Sequence, residues 1–161
     1  MRALKSLAPI ADKGATVLIL GSMPGRKSLE MSEYYAHPAN QCWRILAEIF
    51  RTDSPATYIE KMNFLKLHSI ALWDVLSTCT RKASEDASIR QAAPNKIQEL
   101  LRDYPNITTI LLNGKAAEKY FTKHFEEIQA IAVHYVPSTS PAYASLSFEK
   151  KVKEWELFLK R

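Results

Sequence analysis

The sequence predicts an α/β domain, a three-layer α/β/α sandwich around a central four-stranded parallel sheet. Four short aliphatic runs carry the prediction: "TVLIL" (16–20), "SIALWDV" (69–75), "ITTILLNGK" (107–115) and "IAVHYV" (131–136). Each has the length and the β-branched or aliphatic content of a buried strand. Helical patterns lie between them, and strands that alternate with helices pair in parallel through right-handed crossovers.

The elements follow in order. Gly21 closes the first run, and "GSMPGRKSLEMSEYYAHPAN" (21–40) reads as the loop that leaves it. In "QCWRILAEIFR", Cys42, Trp43, Leu46, Ile49 and Phe50 fall on one helical face, which places Asn40 at the N-cap and the helix end near Arg51. Ser54 and Pro55 open a second helical pattern that runs through Leu65. The second strand, 69–75, carries Asp74 at its end. Residues 77–95 are polar and aperiodic and read as a surface connection. A helix restarts at Pro94 or Asn95, the third strand ends at Asn113-Gly114, and "KAAEKYFTKHF" is helical again. The fourth strand runs into "PSTSPAYASLS", and a last helix spaces Phe148, Val152, Trp155 and Leu159 for one apolar face.

Length and composition bound the possibilities. A chain of 161 residues is expected to form one domain over 1–161. Hydrophobic residues at 47% and charged ones at 24% match ordinary globular proteins rather than disordered or membrane chains. The net charge of +5 suits a phosphate-bearing partner without requiring one. No apolar run is long enough to span a bilayer and no secretory leader is legible, so a soluble, cytoplasmic protein is expected. Cys42 and Cys79 stand far apart, with no CxxC and no histidine at ligand spacing. They are expected to be buried thiols, with no metal, iron-sulfur cluster or other cofactor.

In parallel sheets, ligands bind at the loops beyond the carboxyl ends of the strands. Those ends here supply Gly21 to Gly25, Asp74, Asn113-Gly114 and Pro137 to Pro141. The glycines and proline of "GSMPG" favour a tight turn with exposed backbone N–H groups, which hold anions or carbonyl oxygens. The pattern is neither a Walker loop, a dinucleotide fingerprint nor a nucleophile elbow, and a plain turn is the alternative. "YYAHPAN" brings two aromatics, a histidine fixed by the following proline and a carboxamide together. One of Tyr34 and Tyr35 is a candidate stacking platform for a flat ligand, the other reading being core. Asn113 combines donors and an acceptor suited to the edge of a base, or else makes a turn with Gly114. "PSTSP" packs three hydroxyls into a stiff, narrow loop. No Ser-His-Asp set or carboxylate pair assembles from these ends, and the pocket that remains suits a nucleobase.

These residues resemble the uracil-DNA glycosylase superfamily over nearly the whole chain. "GSMPG" is similar to its first motif, "YAHPAN" followed by "CW" resembles its mismatch-specific uracil and thymine branch, and "PSTSP" looks like the second motif, which pushes into the duplex. Two positions depart from most branches: Met23 stands where an Asp or Asn activates or positions water, and Val136 where several branches have His or Asn. With "YYAHPxNxxW" and "LWDV", those departures look most like the sixth branch, the hypoxanthine-DNA glycosylases.

The resemblance implies a monofunctional base-excision repair enzyme that hydrolyses the glycosidic bond of a flipped, deaminated base in DNA, hypoxanthine or else uracil. It implies that Tyr35 stacks on the base while Gly21 and the amides of Ser22 and Met23 contact its polar edge. Asn113 tests the opposite edge, and Asn40 has the main catalytic role, with Asp74 as its rival. Ser138, Thr139, Ser140 and Pro141 hold phosphates and fill the gap, and Gly25, Arg26, Lys27, His37 and Lys115 add DNA contacts. Lys115 as a Schiff-base nucleophile is not expected, and a monomer is. The alternatives are a non-catalytic damage-binding module of the same fold, a uracil/thymine mismatch glycosylase, and a small-molecule hydrolase using Ser138 or Ser140 with His37.

Overall fold

The computed structural model describes residues 2–159. Its centre is a parallel sheet of four strands, β2 (Val17–Gly21), β3 (Ile70–Asp74), β6 (Thr109–Asn113) and β7 (Ala132–Val136), in the order β3-β2-β6-β7. The helices are α1 (Arg26–Met31), α2 (Cys42–Phe50), α3 (Tyr58–Leu67), α4 (Ile97–Asp103), α5 (Lys115–His124) and α6 (Phe148–Leu159). Among the described residues, no helix is long and apolar enough to cross a membrane.

Alternation along β2 builds the three layers, because successive side chains of a strand point to opposite faces. Leu18 and Leu20 join a buried cluster with Ile97 and Leu100 of α4 and Ala117, Tyr120 and Phe121 of α5. Ile19 joins the opposite cluster, with Ile45, Leu46 and Ile49 of α2, Phe64 and Leu65 of α3, and Trp155 of α6. Each fully buried Leu or Ile contributes roughly 1.5–3 kcal/mol, so an aliphatic strand of this kind goes to the centre of the sheet rather than its edge. Cys42 and Cys79 are free, buried thiols.

Several expectations shift. The second helix starts at Tyr58 rather than at Ser54, because Thr57 and Glu60 form a capping box in which Thr57 Oγ1 accepts from the Glu60 N–H at 3.1 Å. Residues 26–31, read as loop, form the short helix α1. The connection 77–95 is more ordered than its polarity suggested. It holds β4 (Leu76–Thr80), a 3₁₀ turn at Asp86–Ser88 and β5 (Arg90–Pro94), which with β1 (Ala3–Lys5) make an antiparallel sheet in the order β1-β4-β5. Exposed polar side chains on β5 and register shifts between β4 and β5 blur the period-2 signal there. Pro94 therefore ends a strand, and the helix after it begins at Ile97.

Register positions the site. Gly21 pairs with Asp74, Leu20 with Leu112, and Asn113 with Val136, so the carboxyl ends of all four strands lie side by side. The loops that leave them share one rim.

Candidate functional site

A cleft of about 160 Å³ opens at that rim. It gathers every sequence-predicted site residue except Lys115: Gly21 at the end of β2 with the loop to Gly25, Arg26 and Lys27 at the start of α1, Tyr35, His37 and Asn40 from the second loop, Asp74, Asn113, and the run Ser138 to Pro141. Lys115 is exposed at the start of α5 and lies outside the lining.

The first loop is pinned from below and above. The carbonyls of Gly21 and Ser22 accept from the N–H groups of Val75 and Leu76, at 2.8 and 3.1 Å. Gly21 is required by close approach, since a Cβ there would sit 2.5 Å from Asp74 Oδ1 and 3.3 Å from the Tyr35 hydroxyl. Met23 is buried and joins the apolar cluster on the α4/α5 face, so the first motif brings no ionisable side chain to the cleft.

The second loop separates its two tyrosines. Tyr34 is an anchor: it is 3% exposed, and its hydroxyl donates to the Ala8 carbonyl at 2.7 Å. Burial, with Asp74 nearby, raises its phenol far above the usual range. Tyr35 lines the cleft at φ 52°, a left-handed backbone that bulky residues adopt only where the surroundings impose it. Burial raises its hydroxyl as well, and the bond from Asn113 offsets part of that rise. Ser28 of α1 holds the loop by accepting from the Ala36 N–H at 3.1 Å, and His37 Nδ1 accepts from Ala39 N–H at 3.0 Å. Asn40 lies two residues before the first residue of α2, and its Oδ1 accepts from the Cys42 N–H at 2.9 Å. The N-cap is therefore Gln41 rather than Asn40; the Asn40 oxygen is engaged in an Asx turn just before the helix, and the Nδ2 group is the end of the amide that remains to serve a ligand.

Asn113 is committed inside the protein. Its Nδ2 donates to the Tyr35 hydroxyl at 3.2 Å and to Thr139 Oγ1 at 3.1 Å, while Oδ1 accepts from the Thr139 N–H at 3.0 Å. Thr139 is accordingly 1% exposed and faces inward, unlike Ser138 and Ser140. Gly114, at φ 96°, admits this loop: a Cβ would stand 2.9 Å from that of Ser138. The loop and α2 are also joined, since the Gln41 N–H donates to the Thr139 carbonyl at 2.9 Å. Lys151 of α6, 1% exposed, donates from Nζ to Gln41 Oε1 at 2.9 Å and to the Tyr143 carbonyl at 2.7 Å. Val136, fully buried, belongs to the core on the α2/α6 side.

Two charged residues of the site were not expected. Arg81, whose side chain is 1% exposed, follows β4 and donates to the carbonyls of Pro24 at 2.7 Å and Ala83 at 3.1 Å. Asp86 accepts from the Ser22 hydroxyl at 3.0 Å and stands 3.6 Å from Arg81 Nη1. The protein around Asp86 raises its carboxyl, and Ser22 and Arg81 draw it back. Both sit in the 77–95 stretch read as plain connection, where no motif marks them. Asp74 has no such direct contact: it is 3% exposed, and its Oδ2 is buried without a hydrogen-bond partner among the described residues. Burial raises its carboxyl to about 7, with Asp86 adding to the rise and Arg81 opposing it.

A partly polar cleft with an aromatic wall, carboxamides and a clamped hydroxyl loop at the carboxyl end of a parallel sheet is the kind of site that suits a planar heterocycle. Comparison specifies the class. The uracil DNA glycosylase superfamily model matches residues 8–160, and the chain belongs to that superfamily. It is 36% identical over 113 residues to a hypoxanthine DNA glycosylase of Methanosarcina barkeri, covering 70% of this chain and 72% of that one. It is 29% identical over 148 residues to a hypoxanthine DNA glycosylase of Methanosarcina acetivorans, covering 91% and 92%. A solution NMR structure of a candidate uracil DNA glycosylase from Methanosarcina acetivorans superposes with a TM-score of 0.84 at 26% identity, over 98% of this chain and 97% of that one. The four-stranded parallel sandwich and the superfamily expected from the motifs are both borne out.

Proposed function

We propose that this DNA glycosylase excises hypoxanthine from DNA as a monofunctional base-excision enzyme, acting as a monomer. The observation that carries the reading is Asn40: a carboxamide fixed through its oxygen to the start of α2, in the same cleft as the first-motif loop and Tyr35. The first motif itself supplies the apolar Met23. The work of a water-positioning group then falls on another loop.

The target nucleotide is extruded at a cost of a few kcal/mol in lost stacking. Tyr35 stacks on the base, a contact worth about 1–3 kcal/mol. Backbone N–H groups of Ser22 and Met23 meet its polar edge, and the Asn40 Nδ2 group holds water or the departing base. Preorganised donors of this kind stabilise negative charge as it grows on the base, while the sugar becomes oxocarbenium-like. Asn113 acts indirectly, since its amide is occupied by Tyr35 and Thr139. It sets the height of the stacking ring and the shape of the 138–141 loop. Ser138, Ser140 and Pro141 press into the gap, and exposed Arg26 and Lys27 meet phosphates at the rim.

The test is single-turnover incubation with labelled duplexes that carry one hypoxanthine or one uracil, followed by alkali. Alkali-dependent cleavage at hypoxanthine that disappears in Asn40→Ala, with DNA affinity retained, supports the reading. Release of uracil alone, or binding of both duplexes without cleavage, overturns it.

A further inference from the structure

We propose that Asp74 is a catalytic residue that works in its protonated form, donating its carboxyl proton to a ring nitrogen of the departing purine. The inference rests on the hypoxanthine reading above and names the acid that reading lacks.

Three observations converge. Asp74 lines the cleft at the carboxyl end of β3, yet its Oδ2 is buried with no partner among the described residues. An ionised Oδ2 so placed would be a buried anionic atom with only the more distant Arg81 to offset it, whereas a neutral carboxyl carries a proton with no acceptor among the described residues. Its other oxygen, Oδ1, and the Tyr35 hydroxyl both approach the point that a side chain at Gly21 would fill. The missing side chain leaves that wall to the two of them, beside the ring proposed to stack on the base.

The neighbouring charges reinforce the division of labour. The groups that face Asp74 are Tyr34 and Tyr35 of the second loop, Asp86 of the 3₁₀ turn and Arg81 beyond β4, with His37 on the same cleft. Arg81 directs its donors at Pro24, Ala83 and Asp86. Asp86, which also holds the Ser22 hydroxyl, is therefore the carboxylate supported in its charged form. Burial raises both carboxyls, but only Asp86 has a hydroxyl and a guanidinium in direct contact to draw it back, which leaves Asp74 the one suited to hold a proton.

In the step, the bond between C1′ and N9 breaks and its electron pair passes to the purine. The Asp74 proton moves to N7 or N3, so the base departs neutral. Water adds its oxygen to C1′ and releases one proton, which restores the Asp74 carboxyl. No oxidant, reductant or further co-reactant is needed. General acids placed in this way contribute about 10²–10⁴-fold.

The experiment measures single-turnover excision of hypoxanthine between pH 5.5 and 9 for the wild type and Asp74→Asn, and of 7-deaza- and 3-deaza-hypoxanthine at pH 6.5. Support consists of a wild-type rate that falls as pH rises through about 7, and a loss of about 10²-fold or more with a flat profile in Asp74→Asn. One deaza substrate should show a matching loss in the wild type and no additional loss in the variant. That substrate needs no mutation, so it decides even if Asp74→Asn misfolds. Normal excision of both deaza substrates overturns the proposal, as does an Asp74→Asn rate within threefold of wild type. A wild-type rate that rises through pH 7 overturns it too, because that slope belongs to a base. Failure of the wild type to release hypoxanthine at all removes the functional reading and this one with it.

Discussion

Asn113 and Thr139 hold each other in both directions. The amide nitrogen of Asn113 donates to Thr139 Oγ1 at 3.1 Å, and the Thr139 N–H donates to Asn113 Oδ1 at 3.0 Å. The pair fastens the end of β6 to the loop after β7, and a further bond from the same nitrogen reaches Tyr35 at 3.2 Å.

Replacing Asn113 with Ala strands a buried N–H and a buried hydroxyl, at a cost of about 1–3 kcal/mol in stability. Activity should fall further than stability explains, because both the stacking ring and the 138–141 loop lose their tether. Urea denaturation and single-turnover excision on the same preparation separate the two effects. An Asn113→Ala enzyme with wild-type turnover would assign the amide to folding alone.

Tyr35 combines a cleft position with φ 52°. Tyr35→Gly should recover backbone strain of about 1–3 kcal/mol, part of it offset by lost ring burial, while Tyr35→Ala recovers none. Both should weaken affinity for hypoxanthine-containing DNA by roughly 5- to 150-fold, the equivalent of one stacked base. Thermal melts beside titrations of an extruded-base duplex test this, and equal melting of the two variants would remove the strain argument.

The Asp74 carboxyl, raised by burial from its ordinary 3.8 to about 7, makes folding pH-dependent in a defined direction. Between those values the native state binds more protons than the unfolded chain, so stability falls as pH rises and levels off above about 7. The decline attributable to this group is on the order of 4 kcal/mol at most, from 1.36 kcal/mol for each pKa unit. Asp74→Asn removes it, so the variant should gain on the wild type between pH 5 and pH 8.5. Denaturant midpoints at those two values supply the check; a constant difference contradicts the buried, proton-binding carboxyl.

Gly21→Ala brings a methyl group to within 2.5 Å of Asp74 Oδ1. Relief requires the buried Asp74 carboxyl to turn away or β2 and β3 to shift at their paired ends, which costs roughly 1–3 kcal/mol for overpacking of this kind. Excision should be lost at temperatures where the variant is still folded by circular dichroism.

Lys151 is buried on α6 and bridges Gln41 and the Tyr143 carbonyl, with its ammonium lowered by burial. Lys151→Met keeps the volume and leaves two acceptors unsatisfied, so a loss of about 1–3 kcal/mol is expected. Proteolytic nicking within 137–147 should accelerate if the side chain holds that loop against α2.

The sequence by itself determined the four parallel strands, the superfamily motifs and nearly all of the cleft lining. Contiguous aliphatic runs go to the centre of a parallel sheet, and the loops after such strands share one rim. Asn40 at the entrance of α2 and Tyr35 beside it were legible because a local motif carries them. Arg81 and Asp86 were not, since they lie in a polar stretch whose strands, among the described residues, pair only with β1 and with each other. What brings them over the first motif is long-range: the Arg81 bond to Pro24 and the Asp86 bond to Ser22. Tertiary structure alone also turned Thr139 inward, sent Met23 to the core and left Asp74 Oδ2 without a hydrogen-bond partner among the described residues. Residue type and spacing specify which groups reach a rim. Burial and hydrogen-bond partners decide which of them is spent on the fold and which keeps a proton to give.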